Sequence, residues 1–289
     1  MRRREFWGLL APSLVVMVGL LAFPLYRTVE WSLKKVDYGE SGTFVGLDNY
    51  TMALQDERFL RSVVFTVGLT LTTVGGLVVG GYILACLVNG LGRMRPVVLG
   101  ILLISYVIPN VVGATMFSWL FDSNFGGVLD YAISGLTGLD ILWFTDTWPN
   151  RVMVALNLIW AMLPFAMLVI LAGLQGISEE VLEAARMDGA STWGVHWHVM
   201  VPTLRGLLGF VALISIMDVV RVFDNLVPLS PQGPQIGNES IMMYIFNVAF
   251  RDGGQQLGLG SAINVLLIIL IVVMLSPFIR DVAREGSRR

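Results

Sequence analysis

Cysteine, lysine and charge are all scarce in this chain of 289 residues. The single cysteine, Cys86, excludes a disulfide framework within the chain, and its apolar neighbours favour a buried thiol. The only lysines are Lys34 and Lys35, and neither stands in the Gly-Lys-Ser/Thr pattern of an ATP-binding P-loop. Charged residues are 14% of the sequence, against about 25% in soluble domains. The chain is therefore expected to lie in a membrane, and its net charge of −2 gives no case for nucleic-acid binding.

Long apolar runs make up most of the sequence, with apolar residues at 55% and a mean hydropathy of +0.74. A membrane-spanning helix needs roughly 20 mostly apolar residues. We predict six such spans, at about residues 7–29, 62–89, 97–121, 152–174, 207–228 and 257–279. The predicted fold is all-α and polytopic, with six transmembrane helices in one domain covering residues 1–289 and a core at about 58–280.

The arginines predict the orientation of these spans. Arginines cluster before the first span, after the second and after the sixth, at Arg2, Arg3, Arg4, Arg93, Arg95, Arg280, Arg284, Arg288 and Arg289. Residues 122–150 hold four aspartates and no Lys or Arg. By the positive-inside rule, both termini and the loop at 175–205 face the cytoplasm. The outer loop at 30–61 is an exception to this rule, because it carries two lysines and two arginines. Acidic residues stand among them.

The loop at residues 175–205 carries a polar, helix-forming segment between two apolar spans. Ser178 can cap a helix whose first turn holds two glutamates, and Gly189 fits a C-terminal stop. Glu183 can pair with Arg186 or with a basic group of a partner. A second helix is predicted from residue 191 or 192 to a stop before Pro202, since the residue before proline disfavours helical geometry.

The spacing in this loop resembles the cytoplasmic coupling motif of ABC importer permeases. That motif has Glu-Ala-Ala, a glycine six residues after the glutamate, an aliphatic residue ten further on and a proline three later. The matching residues here are Glu183, Ala184, Ala185, Gly189, Val199 and Pro202, with Val199 and Val201 where the family prefers Ile and Leu. Asp188 and the two residues after it match the carbohydrate branch. Residues 44–50, Phe-Val-Gly-Leu-Asp-Asn-Tyr, are similar to a segment of the first permease in maltose and glycerol-phosphate type importers.

The resemblance implies a type I ABC importer permease fold with a cytoplasmic coupling helix in the bacterial inner membrane. It implies a second homologous permease, two ATPase subunits that bind ATP and magnesium, and an extracytoplasmic sugar-binding protein as partners. The chain would hold half of a carbohydrate pathway within the lipid, bind no cofactor and catalyse no covalent chemistry. Contact with the ATPase would come from Glu183, Ala184, Ala185, Asp188, Gly189 and Pro202. A solvated surface helix without a partner is the alternative for this loop.

Polar residues in the fifth span are candidates for the pathway. Asp218, Arg221 and Asp224 follow one another at spacings of three, so on a helix they would share one face, with Asn225 close by. A charge near the middle of the bilayer costs at least about 2.5–3.5 kcal/mol. The three side chains are therefore expected either to line a wet cavity or to pair against a neighbouring helix.

Other polar residues are weaker pathway candidates. Asn157 and Trp160 would face one way in the fourth span, although packing around Pro164 is the favoured interpretation, and Asn264 lies in the sixth span. Tyr106 and Asn110 flank Pro109 in the third span, where a kink is expected. His196 and His198 are two residues apart, which does not suit metal ligands on one helix face, and no metal site is predicted.

Two further hypotheses remain open at this point. A stand-alone secondary transporter would use Asp218 as its coupling carboxylate, but six spans, no visible inverted repeat and the coupling-type loop argue against it. An assembly subunit without a pathway would tolerate neutral residues at the fifth-span charges. The Pro- and Gly-rich residues 228–238 are predicted to form a turn rather than a helix, serving as a contact for a binding protein or as a connector.

Overall fold

The structure is a computed structural model, and it describes residues 3–37 and 42–286. Its α-helices in chain order are α1 Arg3–Met17, α2 Phe23–Ser32, α3 Asp48–Gln55, α4 Glu57–Asn89, α5 Arg95–Leu102, α6 Ile104–Val107, α7 Asn110–Phe121, α8 Val128–Thr137, α9 Thr147–Gln175, α10 Glu179–Met187, α11 Thr192–Val195, α12 Val201–Val220, α13 Leu226–Leu229, α14 Gly233–Ile236, α15 Ile241–Phe246 and α16 Leu257–Gly286. Short π-helical segments lie at Val18–Ala22, His196–Met200 and Asn247–Arg251, 3-10 turns at Gly92–Met94 and Ser123–Phe125, and strands β1 and β2 at Lys34–Lys35 and Thr43–Phe44. Arg2, Arg288 and Arg289, which enter the predicted orientation, lie outside the described residues.

Apolar helices long enough to cross a membrane account for the predicted spans. Within the described residues five continuous segments qualify, namely Leu10–Ser32, Glu57–Asn89, Thr147–Gln175, Thr192–Val220 and Leu257–Phe278. A sixth candidate is the pair Gly92–Val107 and Asn110–Phe121, whose two halves meet at 99°. The all-α prediction and the positions of the apolar runs are confirmed.

The third span bends at Pro109, where a kink was predicted, but the bend is a break between two helices rather than a kink within one. Ile108 and Pro109 both have extended ψ angles, of 130° and 136°. Proline disfavours helical geometry in the residue before it and cannot donate a backbone hydrogen bond. At Pro109 these two effects end α6, and a separate helix begins at Asn110.

The helix after α10 does not stop before Pro202, which corrects the second prediction for the cytoplasmic loop. Thr192–Val220 is one helical segment, with a π turn at His196–Met200 in which the Val201 N–H donates to the His196 carbonyl. The π turn takes up an extra residue ahead of Pro202. Pro202 then occupies the first turn of α12, where a missing N–H is tolerated.

The chain divides into two compact units, and the first comprises Met1–Leu60 and Ile241–Val272. After α2 the chain forms an antiparallel pair of short strands, with Lys34 opposite Phe44. The Gly258 N–H donates to the Val36 carbonyl at 3.0 Å. A Cβ on Gly258 would lie 2.1 Å from the Lys34 carbonyl oxygen, so only glycine allows the start of α16 to approach this backbone.

Residues 44–50, which carry part of the family resemblance, lock the end of α2 in this unit. The Asn49 amide is buried and donates to the Ser32 and Lys34 carbonyls, both at 2.9 Å. The Tyr50 hydroxyl donates to the Ser32 hydroxyl at 2.7 Å. The bond to the Ser32 carbonyl satisfies an acceptor that the end of a helix leaves without an intrahelical partner, and the bond to the Lys34 carbonyl holds the strand that follows.

Basic residues of the outer loop at 30–61 have acidic partners in this unit. Lys34 lies 2.6 Å from Glu30, and Arg58 lies 2.9 Å from Asp252. The Arg58 guanidinium also stands 5.2 Å above the ring of Tyr244, whose hydroxyl donates to Asp56. Two of the four basic residues that made this loop an exception are thus paired with acids.

The second unit comprises Arg61–Ser240 and Val273–Arg289. Its core is the contact of α4, α9 and α12, formed by Leu77, Ala85, Val88, Ala166, Met167, Ile170, Leu171, Leu174, Leu204 and Val211, all buried. Glycines on α4 face α9, with Gly76 against Ile159 and Gly81 against Ala166. The residue numbers at these contacts increase in the same direction on both helices, so α4 and α9 run parallel. Two spans that enter the membrane from the same side must do so.

Candidate functional site

The predicted coupling segment is a nine-residue helix, α10. Ser178 stands at its N-cap, as predicted, but the Ser178 side chain makes no capping bond. At the other end Asp188 is the C-cap and Gly189 has a φ of +84°, a conformation that favours glycine. The Ala190 N–H donates to the Ala185 carbonyl and the Gly189 N–H to the Arg186 carbonyl, both at 3.0 Å. This is the Schellman arrangement, and it explains why a glycine occupies this position.

One face of α10 is open to solvent. Val181 and Met187 are 48% and 87% exposed, which is unusual for apolar side chains on so polar a helix. Glu183 and Ala184 are exposed beside them, as are Asp188, Gly189 and Pro202, while Ala185 is half-buried. Glu183 and Arg186 form no ion pair in the described structure, so the Glu183 carboxylate remains available to another group.

A short, well-ordered connection joins α10 to α12. The Ser191 hydroxyl accepts from the Gly194 N–H at 3.1 Å and caps α11, which confirms the predicted start of this helix. Val195 is buried, and α11 packs against α10. The exposed rings of Trp193 and Trp197 meet edge to face at 5.9 Å.

The three charged residues of the fifth span do not share one helical face, which corrects the sequence prediction. Helix α12 ends at Val220, Arg221 is its C-cap, and Asp224 lies in the turn beyond it. Arg221 donates to the Met217 carbonyl at 2.8 Å and to Asp218 at 3.4 Å. The Asp218 and Arg221 side chains are 51% and 54% exposed, and a cation at a helix C-terminus is favoured by the helix dipole. The exposed pair sits at the end of the span rather than at its middle.

Asn157 and Asn225 meet each other in a buried contact. The Asn225 Nδ2 donates to the Asn157 Oδ1 at 2.9 Å, which ties the turn before α13 to α9. Asn157 is fully buried and Asn225 is 4% exposed. The Asn157 Nδ2 has no hydrogen-bond partner. In this conformation neither amide is open to a ligand in a pathway, whereas Asp218, Arg221 and Asp224 are exposed.

The other pathway candidates take part in packing. Trp160 lies 6.0 Å from the ring of Phe117 and covers Gly113 of α7. Tyr106 stacks on Phe165 at 6.0 Å, and Asn110 is exposed at the start of α7. Asn264 lies on α16, half-buried.

A buried polar cluster that the sequence did not point to joins residues 226–240 to the start of α9. Asn150, Ser230 and Asn238 are all fully buried. The Asn150 Oδ1 accepts from the Ser230 hydroxyl and the Asn238 amide, both at 3.0 Å, and its Nδ2 donates to the Leu229 carbonyl at 2.8 Å. Arg151 donates to the Asn238 Oδ1 at 2.7 Å. The segment also contains the single-turn helices α13 and α14, so the turn predicted at 228–238 is partly helical.

The histidines contact their neighbours in the protein. The Tyr82 hydroxyl lies 2.7 Å from His196 Nδ1, and the His198 Nδ1 lies 3.1 Å from the Gly194 carbonyl. In the described part of the chain, no group of three or more His, Cys, Asp or Glu side chains is placed to hold a metal ion.

Residues 77–282 match the family described as "Binding-protein-dependent transport system inner membrane component". The chain belongs to this family. The matched region of the permease runs from the middle of α4 into α16 and includes α10, the Asn157 contact and the Asn150 cluster. Location in the inner membrane follows from the family.

Curated relatives resemble the permease along nearly its full length. It is 31% identical to "Inner membrane ABC transporter permease protein YcjO" of Escherichia coli (strain K12), over 97% of this chain and 94% of that protein. It is 31% identical to "Alpha-glucoside transport system permease protein AglF" of Rhizobium meliloti (97% and 83% covered) and 28% identical to "Trehalose/maltose transport system permease protein MalF" of Thermococcus litoralis (91% and 88% covered). The predicted membership among ABC importer permeases is confirmed.

Solved structures of ABC transporters share the fold of the permease. A chain in the crystal structure of a bacterial alginate ABC transporter, in complex with alginate pentasaccharide-bound periplasmic protein, superposes with a TM-score of 0.79 at 21% identity, covering 95% of this chain and 92% of that chain. A chain of the inward-facing MetNI methionine ABC transporter gives a TM-score of 0.54 at 19% identity, covering 78% and 94%. The predicted type I importer fold is confirmed.

Proposed function

We propose that this permease is the transmembrane subunit of an ATP-driven carbohydrate importer. It forms half of the sugar pathway, beside a second homologous permease, and takes no part in covalent chemistry. Two separate ATPase subunits bind ATP and magnesium and hydrolyse the nucleotide. An extracytoplasmic binding protein delivers the sugar. Both termini and α10 face the cytoplasm.

The observation that carries this proposal is the exposed face of α10. A helix of nine residues with a defined stop, placed between two spans, presents Val181, Ala184 and Met187 to solvent beside the unpaired Glu183. Exposed apolar side chains rimmed by charge are typical of a protein–protein contact. Small side chains at residues 184 and 185 permit close approach of an ATPase groove, and Glu183 can meet a basic group in it.

Carbohydrate is the proposed substrate class because of the relatives. The names of AglF and MalF specify α-glucosides, trehalose and maltose, and these proteins match this chain over more than nine-tenths of its length. The exposed Asp218, Arg221 and Asp224 offer charge-assisted hydrogen bonds to hydroxyl groups. They are the better candidates for sugar contact, while the buried Asn157 and Asn225 hold helices together.

The mechanism we propose is alternating access driven from α10. ATP-induced closure of the ATPase dimer moves the grooves that hold residues 183–189. The connection through α11 carries this displacement to α12, and the spans change from inward-facing to outward-facing. The loaded binding protein then releases sugar into the opened cavity, and hydrolysis resets the pair.

The test uses the complex of both permeases, the ATPases and the binding protein in proteoliposomes. Maltose, trehalose and an alginate oligosaccharide are screened for binding-protein-dependent stimulation of ATP hydrolysis and for uptake. Glu183→Arg and Ala185→Trp are compared with Asp140→Arg, a charge reversal at an exposed residue of the outer loop at 122–150.

We expect both α10 variants to insert normally and to lose ATP-dependent uptake, while Asp140→Arg transports like the parent. Normal uptake in both α10 variants would refute the coupling role. Stimulation by none of the sugars would refute the carbohydrate assignment. Uptake by the lone permease, driven by an ion gradient without ATP, would favour a secondary transporter with Asp218 as its coupling carboxylate.

A further inference from the structure

A hydrogen bond between Tyr82 and His196 joins two helices of the second unit. Tyr82 lies on α4, and His196 begins the π turn His196–Met200 that leads into α12. The hydroxyl and the Nδ1 atom are 2.7 Å apart, and the two rings meet at 84° with centroids 5.9 Å apart. The contact is therefore fixed by ring packing as well as by the hydrogen bond.

The chain between α10 and His196 has little freedom. After the stop at Gly189 only six residues intervene, and four of them form α11. The Ser191 hydroxyl caps this helix, the Val195 N–H donates to the Ser191 carbonyl at 2.9 Å, and the Val195 side chain is 5% exposed. Because α11 also packs on α10, a displacement of α10 must move His196 with it.

Tyr82 transfers such a displacement to a different helix. Its ring packs against the buried core of α4, α9 and α12. A hydrogen bond at the edge of an apolar core is directional, and both of its partners here are part-buried. The apolar contacts of the Tyr82 ring are not directional and persist when the helices shift by a small distance. The Tyr82–His196 hydrogen bond is directional and is lost when its geometry changes.

His196 begins the π turn, where the hydrogen-bond register of this helix differs from the ordinary one. In the π turn the Val201 N–H bonds to the His196 carbonyl five residues earlier. A return to the ordinary four-residue register rotates the helix on one side of the turn, and π turns inside α-helices are often found at functional positions. The Tyr82 contact decides how His196 is held while the register changes.

We propose that the Tyr82–His196 hydrogen bond is the joint through which movement of α10 reaches α4. The two side chains act as positioning residues, and they convert docking of the ATPase into movement of the spans. This proposal rests on the proposed function of α10. With the bond present, closure of the ATPases moves α4 together with α12. Without it, α12 moves alone and ATP is hydrolysed without transport.

The test measures ATP hydrolysed per sugar transported by the full complex, with the sugar that the parent complex takes up. Tyr82→Phe removes only the hydroxyl, and His196→Leu removes the ring nitrogen that bonds to it. His196→Asn restores a polar atom near the position of Nδ1. Tyr131→Phe, at an 80% exposed tyrosine of α8, is the control for the first change, and His198→Leu, on the same π turn, is the control for the second.

We expect the ATP-to-sugar ratio to rise about tenfold in Tyr82→Phe and His196→Leu, which corresponds to about 1.4 kcal/mol, while binding-protein-stimulated hydrolysis persists. The double variant should not differ from either single variant. His196→Asn, Tyr131→Phe and His198→Leu should keep the parent ratio. A purely structural role would lower the amount of complex or its unfolding temperature without changing this ratio.

The parent ratio in assembled Tyr82→Phe would overturn the proposal. If Tyr82→Phe fails to assemble, equal ratios in His196→Leu and His196→Asn would overturn it. If Glu183→Arg uncouples hydrolysis from transport and Tyr82→Phe does not, the proposed role of the Tyr82–His196 bond is refuted and the proposed function of α10 stands. Normal coupling in both variants would refute the proposed function of α10 as well.

Discussion

Asn49 closes the junction between α2 and the strands that follow it. Its buried amide donates to two carbonyls, those of Ser32 and Lys34. A single side chain thus satisfies backbone groups that would otherwise be orphaned at the end of a span. This contact gives a structural reason for an asparagine within residues 44–50.

Asn49→Leu should lower the stability of unit 1 by about 1–3 kcal/mol, because two carbonyls lose their donors and one amide is replaced by an apolar group. The midpoint of thermal unfolding of the purified complex in detergent measures the change. Thr51→Val is the matched control, since Thr51 is exposed and its hydroxyl bonds only to the nearby Asp48 carbonyl. An unfolding midpoint for Asn49→Leu equal to that of Thr51→Val would contradict the argument.

Asp218 and Arg221 either contact the transported sugar or form an ion pair that only stabilises the fold, and the energies of these two roles differ. Both side chains are about half exposed, so the pair contributes less than about 1 kcal/mol to stability. Charge-assisted hydrogen bonds to a sugar hydroxyl are worth more, about 1.5–3 kcal/mol.

Asp218→Asn and Arg221→Gln should therefore fold like the parent but reduce uptake of the transported sugar by about tenfold or more. Radiolabelled sugar uptake in proteoliposomes gives the rate. Arg27→Gln is the control, because Arg27 and Glu30 form another ion pair at the same spacing of three residues, part-buried and 2.7 Å apart. Unchanged uptake in both variants would make the fifth-span pair a structural feature only.

The segment from α13 to α14 keeps its position through a polar cluster as well as through the buried side chains of Leu226 and Leu229. Asn150 at the start of α9 makes four hydrogen bonds, to Trp143, Leu229, Ser230 and Asn238. All its donors and acceptors are satisfied, and fully satisfied buried networks hold one defined geometry. The Pro- and Gly-rich residues 228–238 are therefore held in one geometry, as a contact with a binding protein would require.

Asn150→Leu should release this segment. Several buried polar groups lose their partners at once, at about 1–3 kcal/mol for each group left unsatisfied, so amide exchange in residues 226–240 should accelerate by about tenfold or more. Hydrogen exchange followed by mass spectrometry resolves the segment. Asn124→Leu serves for comparison, because Asn124 is exposed and its side chain bonds only to Asp122. Equal exchange in the two variants would mean that the cluster does not hold the loop.

The orientation of the chain in the membrane is a consequence of its charge distribution. Residues 122–150 hold no Lys or Arg, and the termini and the turn after α4 are rich in arginine. The chain has a single cysteine, so sidedness can be measured by placing one new thiol at a time.

In a Cys86→Ala background, Ser123→Cys should react with a membrane-impermeant maleimide in intact cells, and Ser178→Cys only in inverted vesicles. Ser123 and Ser178 are both exposed, so their reactivity reports on the side of the membrane. The background variant without a new cysteine is the control. Labelling of Ser178→Cys in intact cells would place α10 outside and end the proposal that it meets an ATPase.

Features set by local chemistry were predictable from the order of residues. Each apolar run marks a span because the bilayer removes water from every backbone group within it. Gly189 sets the stop of α10 and Ser191 sets the start of α11, since a left-handed C-terminus and a cap depend on a few neighbouring residues. The spacing around residues 183–202 was enough to identify the family.

Features set by distant contacts were not predictable. The kink at Pro109 was predicted but not its angle of 99°, and the helix predicted to stop before Pro202 continues because a π turn absorbs the proline. Asn225 forms a hydrogen bond with Asn157, 68 residues away in the sequence, and Asn238 forms one with Asn150, 88 residues away. Membrane insertion and helix capping depend on residues that are close in the sequence, so spans and helix ends can be predicted from the sequence alone. The pairing of polar groups depends on which helices meet, and only the folded chain brings those partners together.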